Sequence, residues 1–116
     1  MSERARIIVA GTFRASKGVT HAVMKAMEAM ATASQDEYGC EAYSFARDVF
    51  DPTLLHVFEI WRDAACLKVH RATSHFTAWR IKWLSLGLSD ASSTLYLIDA
   101  QTLDDQGAHY NTEQTS

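Results

Sequence analysis

The stretch DPTLLHVFEIWRDAACLKVHRATSHFTAW, residues 51–79, decides the fold of this chain. Asp51-Pro52 indicates a turn, and the apolar run from Leu54 to Trp61 then predicts a β-strand. This strand has almost no polar interruption, which is typical of a strand that is covered on both faces. A histidine-rich pair of helices is predicted to follow it at once, so we expect any chemistry to lie here.

The helical pair is marked by its capping residues. Asp63 predicts the N-cap of a short helix that ends near Ala72, and Thr73 or Ser74 predicts the N-cap of a second helix. Aromatic residues at helical spacing form a stripe on the second helix: Phe76, Trp79 and Trp83. Such a stripe indicates a side that packs against a core.

The remaining predicted elements lie on either side of this stretch. Residues 5–14 are β-rich, and residues 91–99 predict a fourth strand. Residues 19–37 repeat apolar side chains at three- and four-residue steps, which predicts an amphipathic helix. Gly39 follows in the position where a left-handed backbone is commonly needed, and residues 40–49 then predict a second strand.

The order strand, helix, strand, strand, helix pair, strand matches an α+β, ferredoxin-like split βαβ sandwich, in which helices cover one face of an antiparallel sheet. We expect one domain over residues 1–100. Residues 101–116 are polar and lack a periodic apolar pattern, so we expect a tail that is disordered or lies on a neighbouring molecule.

The sheet face opposite the helices must also be covered. Alternation along the third strand sends Leu54, His56, Phe58 and Ile60 to one side and Leu55, Val57, Glu59 and Trp61 to the other. In a monomer one of these sides would be an exposed apolar patch. Pairing two sheets face to face removes it, so we expect an obligate homodimer.

Composition limits the class of protein. The chain has 116 residues, is 47% hydrophobic and has a net charge of −3, which fits one compact domain. It has no basic cluster, so we expect neither nucleic acid nor an anionic membrane as a partner. No signal-peptide pattern or membrane-length apolar run occurs, and the cytoplasm is the default location. We expect Cys40 and Cys66 to be small buried hydrophobes.

Four short motifs occur in order: Gly39-Cys40-x-x-Tyr43, Asp51-Pro52, Glu59-x-Trp61-x-Asp63 and His70-x-x-x-Ser74-His75-Phe76. Together they resemble the antibiotic biosynthesis monooxygenase domain, over about residues 5–99. The resemblance implies a dimeric α+β barrel with a ligand pocket between the sheet and the helices. Family members include cofactor-free quinol and polyketide monooxygenases, heme-degrading enzymes and an isomerase that processes an autoinducer sugar.

Two positions distinguish among these branches. The heme-degrading relatives carry an asparagine where this chain has Gly11 and an axial histidine where it has Arg80. A guanidinium stays protonated and has no free lone pair for iron. The resemblance therefore favours the quinol-monooxygenase-like branch over heme degradation, and we expect no cofactor.

Glu59 and Trp61 are candidates for the pocket. A lone carboxylate on an apolar strand must be paired, hydrogen-bonded or protonated, and we expect Arg80, Lys82 or His70 as its partner. A structural ion pair, or a carboxylate at the strand end that reaches water, would explain Glu59 equally well. Trp61 offers a flat apolar surface and one N–H to an aromatic ligand, although core packing would also account for it.

His70 and His75 are the candidate acid and base. One closes a predicted helix and the other opens the next, so the two helix dipoles act on them in opposite directions. We therefore expect His75 to stay neutral and accept a proton while His70 holds or donates one. The alternative is that one caps a helix and the other is solvated. The spacing does not match a known metal motif, so no metal ligands are predicted.

Glu59, His70 and His75 are thus the predicted catalytic residues. The candidate substrate-binding residues are Trp61, Tyr43, Phe76, Trp79 and Arg80. The favoured function is a cofactor-independent monooxygenase that oxidises a quinol or polycyclic phenol with molecular oxygen. The alternatives are an isomerase of a small oxygenated metabolite and a non-catalytic protein that binds a small aromatic or oxygenated molecule.

Overall fold

The computed structural model describes residues 5–99 and contains one four-stranded antiparallel sheet with helices on one face. The strands are β1 (Arg6–Ala15), β2 (Cys40–Arg47), β3 (Leu54–Trp61) and β4 (Leu88–Ile98). Their order across the sheet is β2-β3-β1-β4. The two central strands, β1 and β3, are therefore the ones whose side chains are covered best.

The helices are α1 (His21–Gln35), α2 (Ala64–Arg71), α3 (Ser74–Ile81) and α4 (Trp83–Leu86). The first three begin at side-chain caps: Thr20, Asp63 and Thr73 each accept a hydrogen bond from a backbone N–H in the first turn of their helix. Such caps satisfy donors that a helix start leaves without a partner. Asp63 is the cap that the sequence predicts, and Thr73 rather than Ser74 caps α3.

The strand register sets which side chains face the helices. Val9 lies opposite Glu59 and Ile7 lies opposite Trp61 across the β1–β3 pair. Because cross-strand partners point to the same face, Glu59 and Trp61 share the helix-facing side with the β1 core residues. The core contains Val9, Phe13, Val23, Met27, Leu55, Trp61, Leu67 and Trp79. β3 therefore supplies two core side chains and a carboxylate to the same side.

The other face of the sheet is only partly covered within residues 5–99. Phe58 on β3 is 42% exposed and Tyr96 on β4 is 51% exposed. His56 on this face bonds through Nε2 to Asp48 Oδ1, 2.9 Å away. The face is thus apolar in the way the strand alternation predicts, and its pairing with a second copy stays a prediction.

The predicted fold class, an α+β ferredoxin-like sandwich, is confirmed, while several boundaries differ. β2 ends at Arg47 because the Asp48 carboxylate accepts the N–H groups of Phe50 and Asp51 and turns the chain there. The helix that the sequence predicts after Thr73 is divided into α3 and α4. Gly87 ends α4 with a φ of 73°, and β4 starts at the next residue.

Other predictions concern the termini and the thiols. Residues 101–116 lie outside the described residues. Cys66 is buried as predicted, Cys40 is half-buried, and both are free thiols. No helix within residues 5–99 has the length and apolar character required to cross a bilayer.

Candidate functional site

A cavity of about 200 Å³ lies between the helix-facing side of the sheet and the helices α2 to α4. Its apolar wall contains Val9, Phe13, Phe45, Phe76, Trp79 and Trp83. Its polar groups include Tyr43, Glu59, His70, Arg71 and Arg80. A concave wall that combines aromatic side chains with polar groups is typical of a pocket for a small organic molecule.

His70 is the polar group with the most constrained position. It lies in the last turn of α2, is 1% exposed, and its Nδ1 lies 2.6 Å from Glu37 Oε2. An ionised carboxylate can only accept, so the Nδ1–H donates to Glu37. The other ring nitrogen, Nε2, is buried without a hydrogen-bond partner among the described residues. In the neutral ring this Nε2 keeps a free lone pair on a residue of the cavity wall.

His75 lies in the first turn of α3 and is 27% exposed. Its Nε2 is 2.6 Å from Glu37 Oε2, so the two imidazoles share one carboxylate oxygen. His75 is absent from the cavity wall. The structure therefore brings the two predicted histidines together, but only His70 can meet a molecule in the cavity.

Glu37 is a site residue that the sequence did not predict. It lies in the turn between α1 and β2, where its N–H donates to the carbonyl of Ser34. It is 33 residues from His70 and 38 from His75, so no local pattern connects the three side chains. Its position between a helix end and the left-handed Gly39 is the only sequence signal, and that signal indicates a turn rather than a site.

Glu59 and Trp61 form a buried pair on β3. The Trp61 Nε1–H donates to Glu59 Oε1 at 2.8 Å, so the hydrogen-bond partner of Glu59 is Trp61 and none of the three residues that we expected. Burial raises the pKa of the Glu59 carboxyl, and the bond from Trp61 offsets part of that rise. Glu59 is therefore a carboxyl on the cavity wall that holds its proton to a higher pH than usual.

Trp61 lies beneath His70 rather than on the cavity wall. Its indole is fully buried, and the two ring centroids are 4.5 Å apart at an interplanar angle of 36°. This position fits the core-packing alternative for Trp61. The indole supports the imidazole on one side while Glu37 fixes its Nδ1 on another.

Three more candidates surround His70 or the cavity. Tyr43 has its ring 5.6 Å from that of His70, and burial raises the pKa of its phenol, which therefore stays a neutral O–H donor. Phe76 packs edge-on against His70 at 5.3 Å. The Arg80 guanidinium lies 4.1 Å from the Trp83 ring centroid, an arrangement that holds a cation at the cavity.

Six of the eight candidate residues line the cavity: Tyr43, Glu59, His70, Phe76, Trp79 and Arg80. Trp61 and His75 lie behind this wall, on other sides of the His70 ring. Arg71 lines the cavity and was not predicted, because a charged residue near a helix end usually faces solvent. One group among residues 5–99, Glu37 with His70 and His75, has a geometry that could hold a metal ion.

A family model described as antibiotic biosynthesis monooxygenase matches residues 6–82, which hold β1 to β3 and the cavity residues Tyr43, Glu59, His70, Arg71 and Arg80. The chain belongs to the antibiotic biosynthesis monooxygenase family. An uncharacterised protein from Synechocystis is 30% identical over 98 residues, which cover 84% of this chain and 67% of that relative. Membership of the antibiotic biosynthesis monooxygenase family supports a general monooxygenase-like role.

Solved structures have the same fold as this family member. A protein from Pseudomonas aeruginosa is 26% identical with a TM-score of 0.73, covering 84% of this chain and 97% of that one. A protein from Deinococcus radiodurans, provisionally assigned as an antibiotic biosynthesis monooxygenase, is 24% identical with a TM-score of 0.72. That comparison covers 78% of this chain and 89% of the other.

Proposed function

We propose that this chain is a monooxygenase that uses molecular oxygen to oxidise a hydroquinone or polycyclic phenol bound in the cavity. The observation that carries the proposal is the buried Nε2 of His70, which lacks a partner among residues 5–99 and belongs to a side chain that lines the cavity. A buried polar atom of this kind is costly unless a ligand satisfies it. A phenolic hydroxyl is suited to do so, since it donates the hydrogen that this lone pair accepts.

His70 acts as the general base in this proposal, which reverses the roles expected from the helix dipoles, because His70 lines the cavity and His75 does not. Proton transfer from the substrate hydroxyl to Nε2 makes a phenolate and an imidazolium. The Glu37 carboxylate at Nδ1 stabilises the positive ring and keeps it in one orientation. Glu37 is therefore a positioning residue, and His75, bonded to the same oxygen and partly exposed, connects this carboxylate with solvent.

The substrate supplies all of the electrons. Oxygen is a triplet and reacts slowly with closed-shell molecules, but an electron-rich phenolate can pass it one electron. The substrate radical and superoxide then combine through a new C–O bond to a peroxide. Cleavage of the O–O bond with loss of a C–H proton leaves a carbonyl on the substrate and releases water, so each oxygen atom is accounted for.

The proton transfer is uphill, and the cavity must reduce its cost. A phenol has a pKa of about 10 and a histidine about 6.5, a difference of roughly 5 kcal/mol. An apolar pocket alone would increase that cost because it penalises the anion. Tyr43, Arg71 and Arg80 line the same cavity. The neutral O–H of Tyr43 and the two guanidinium groups offset the cost of forming the phenolate anion.

The test is oxygen consumption with a panel of hydroquinones and polycyclic phenols. We expect His70→Gln to lower turnover at least about 100-fold, the usual contribution of a general base. His21→Gln, at the exposed start of α1, is the matched control and should keep full turnover. Unchanged turnover in His70→Gln, or a folded protein that consumes no oxygen with any member of the panel, would reject the proposal.

One observation favours the isomerase as a second candidate. Glu59, whose pKa is raised by burial, and His70 are two proton-handling groups on one cavity wall. Such a pair can move a proton between adjacent carbons without oxygen. Turnover of a small hydroxycarbonyl compound that continues under nitrogen would favour this function over the monooxygenase.

A further inference from the structure

Three ligand atoms from separate parts of the chain meet on the side of His70 that faces away from the cavity. They are Oε2 of Glu37, Nδ1 of His70 and Nε2 of His75, and all lie within 4.8 Å of one another. The segments that supply them are the α1–β2 turn, the end of α2 and the start of α3. Two imidazole nitrogens with one carboxylate oxygen form a ligand set that suits zinc and similar divalent ions.

We propose that Glu37, His70 and His75 bind one divalent transition-metal ion of the zinc type. Zinc takes nitrogen and oxygen ligands at about 2.0–2.2 Å, so neighbouring ligand atoms around it are separated by roughly 3.5 Å. Glu37 Oε2 lies 2.6 Å from each imidazole nitrogen. The carboxylate therefore has to withdraw by about 1 Å, and the two imidazole nitrogens, which lie within 4.8 Å of each other, have to reach the same separation.

The two imidazoles are held in place without the ion. The Thr73 hydroxyl donates to the carbonyl of His70 at 2.7 Å and accepts the N–H of Phe76 at 3.2 Å. It therefore fixes the end of α2 against the start of α3. The Trp61 indole supports the His70 ring from below. Preorganised ligands lower the cost of binding an ion.

The ion has a path to the site and a place for a fourth ligand. His75 is 27% exposed and the Glu37 side chain is 11% exposed, so the cluster reaches solvent on this side. Neither residue lines the cavity. The proposed ion is thus separated from the cavity by the His70 ring, and it would bind water rather than the substrate in its open position.

Metal binding has a consequence for His70 that rests on the proposed function. An ion at Nδ1 displaces the proton that this nitrogen donates to Glu37, and the neutral ring then carries its proton on Nε2. The nitrogen on the cavity wall changes from an acceptor to a donor. Zinc would therefore remove the general base while leaving the cavity intact.

The direct test is a calorimetric titration of metal-free protein with zinc. We expect one zinc per chain in the natural protein and binding at least about tenfold weaker in Glu37→Gln and in His75→Ala, since even outer-shell changes cost that much. His56→Gln is the control, because His56 pairs with Asp48 alone at 2.9 Å. No zinc binding by the natural protein, or binding by either ligand variant that is as tight as that of the natural protein, would overturn the proposal.

Two further measurements keep the test independent of folding and of turnover. Far-UV circular dichroism shows whether each variant is folded, and His75→Gln replaces His75→Ala if the latter is not. Nitrogen NMR of the imidazoles reports the tautomer directly, and zinc should move the His70 proton from Nδ1 to Nε2. If zinc binds but leaves this proton on Nδ1, the assignment of His70 as a ligand is wrong, whatever the result of the oxygen assay.

Discussion

Glu37 and Glu59 are two carboxyl groups that the fold places in different surroundings. Glu37 accepts hydrogen bonds from two imidazoles through one oxygen. Glu59 accepts a single bond from Trp61 and is buried, which favours its protonated form. The same residue type thus anchors two imidazoles in one place and holds its proton to a higher pH than usual in the other.

The raised pKa of Glu59 predicts a specific pH dependence of stability. Between its ordinary value of 4.5 and its raised value in the fold, the native state holds more protons than the unfolded state. Stability therefore falls as pH rises through that interval. Glu59→Gln removes this dependence while its amide oxygen can still accept the Trp61 N–H. We expect the melting temperature of the natural protein to fall relative to that of the variant as pH rises above 4.5.

Calorimetry at fixed protein concentration measures this difference. The control is Glu28→Gln, an exposed carboxylate on α1 whose replacement should leave the pH profile unchanged. Parallel melting curves for Glu59→Gln and the natural protein at every pH would contradict the predicted effect of burial.

Single residues were predictable from sequence where the local pattern was unusual. A glutamate on an apolar strand and two histidines at a helix junction are conspicuous, and the structure places Glu59 and His70 on the cavity wall. Contacts between distant segments were not predictable in this way. Glu37 lies on no conspicuous pattern, and Trp61 shares a strand face with Glu59 yet ends beneath α2, where the helix covers it.

At the scale of elements, Thr73 joins α2 to α3. We expect Thr73→Ala to lower the free energy of unfolding by about 1 kcal/mol or more, because α3 loses its N-cap and the carbonyl of His70 loses a donor. Urea unfolding measures the loss. Thr73→Ser keeps the hydroxyl and is the control, and an alanine variant as stable as the serine variant would exclude the capping role.

The turn at Gly39 offers a second test of an element. Its φ of +87° is the left-handed backbone predicted from sequence, and a Cβ there would meet the side chain of Cys66 on α2. Gly18 has a similar φ of +79° but open space around it. Gly18→Ala should therefore cost only the backbone strain, about 1–2 kcal/mol, whereas Gly39→Ala should cost clearly more.

Chemical denaturation of both alanine variants separates the two causes. Equal losses would show that the backbone conformation alone matters and that α2 moves away freely from the turn. Element types were predictable because capping and alternation are local properties. The split between α3 and α4 was not, since the aromatic stripe from Phe76 to Trp83 continues across it and only packing on the sheet decides where the helix breaks.

At the scale of the whole molecule, the partly exposed face of the sheet leads to a testable proposal about assembly. We propose that it pairs with the same face of a second copy, because Phe58 and Tyr96 are half exposed there and Ile8 and Ile60 lie between them on the central strands. Phe58→Glu places a charge in that face and should give a monomer by light scattering. Leu84→Glu, at a 91% exposed position on the helical side, should leave the assembly unchanged.

Light scattering of the natural protein first establishes whether it is a dimer. A monomer at micromolar concentration would reject the pairing altogether, and a dimer that survives Phe58→Glu would place the contact elsewhere. The face itself was predictable because strand alternation assigns each β3 residue to a side. What covers this face was not predictable, because a covered face and an exposed face show the same apolar alternation in the sequence of one chain.

The aromatic residues around His70 have a practical consequence. All three indoles of the chain lie at the cavity or directly behind it, with Trp79 and Trp83 on its wall and Trp61 packed against His70. The ultraviolet fluorescence of the natural chain therefore originates almost entirely from this one region. A conjugated guest that settles beside these rings should quench that emission, so its arrival can be followed optically without attaching a dye.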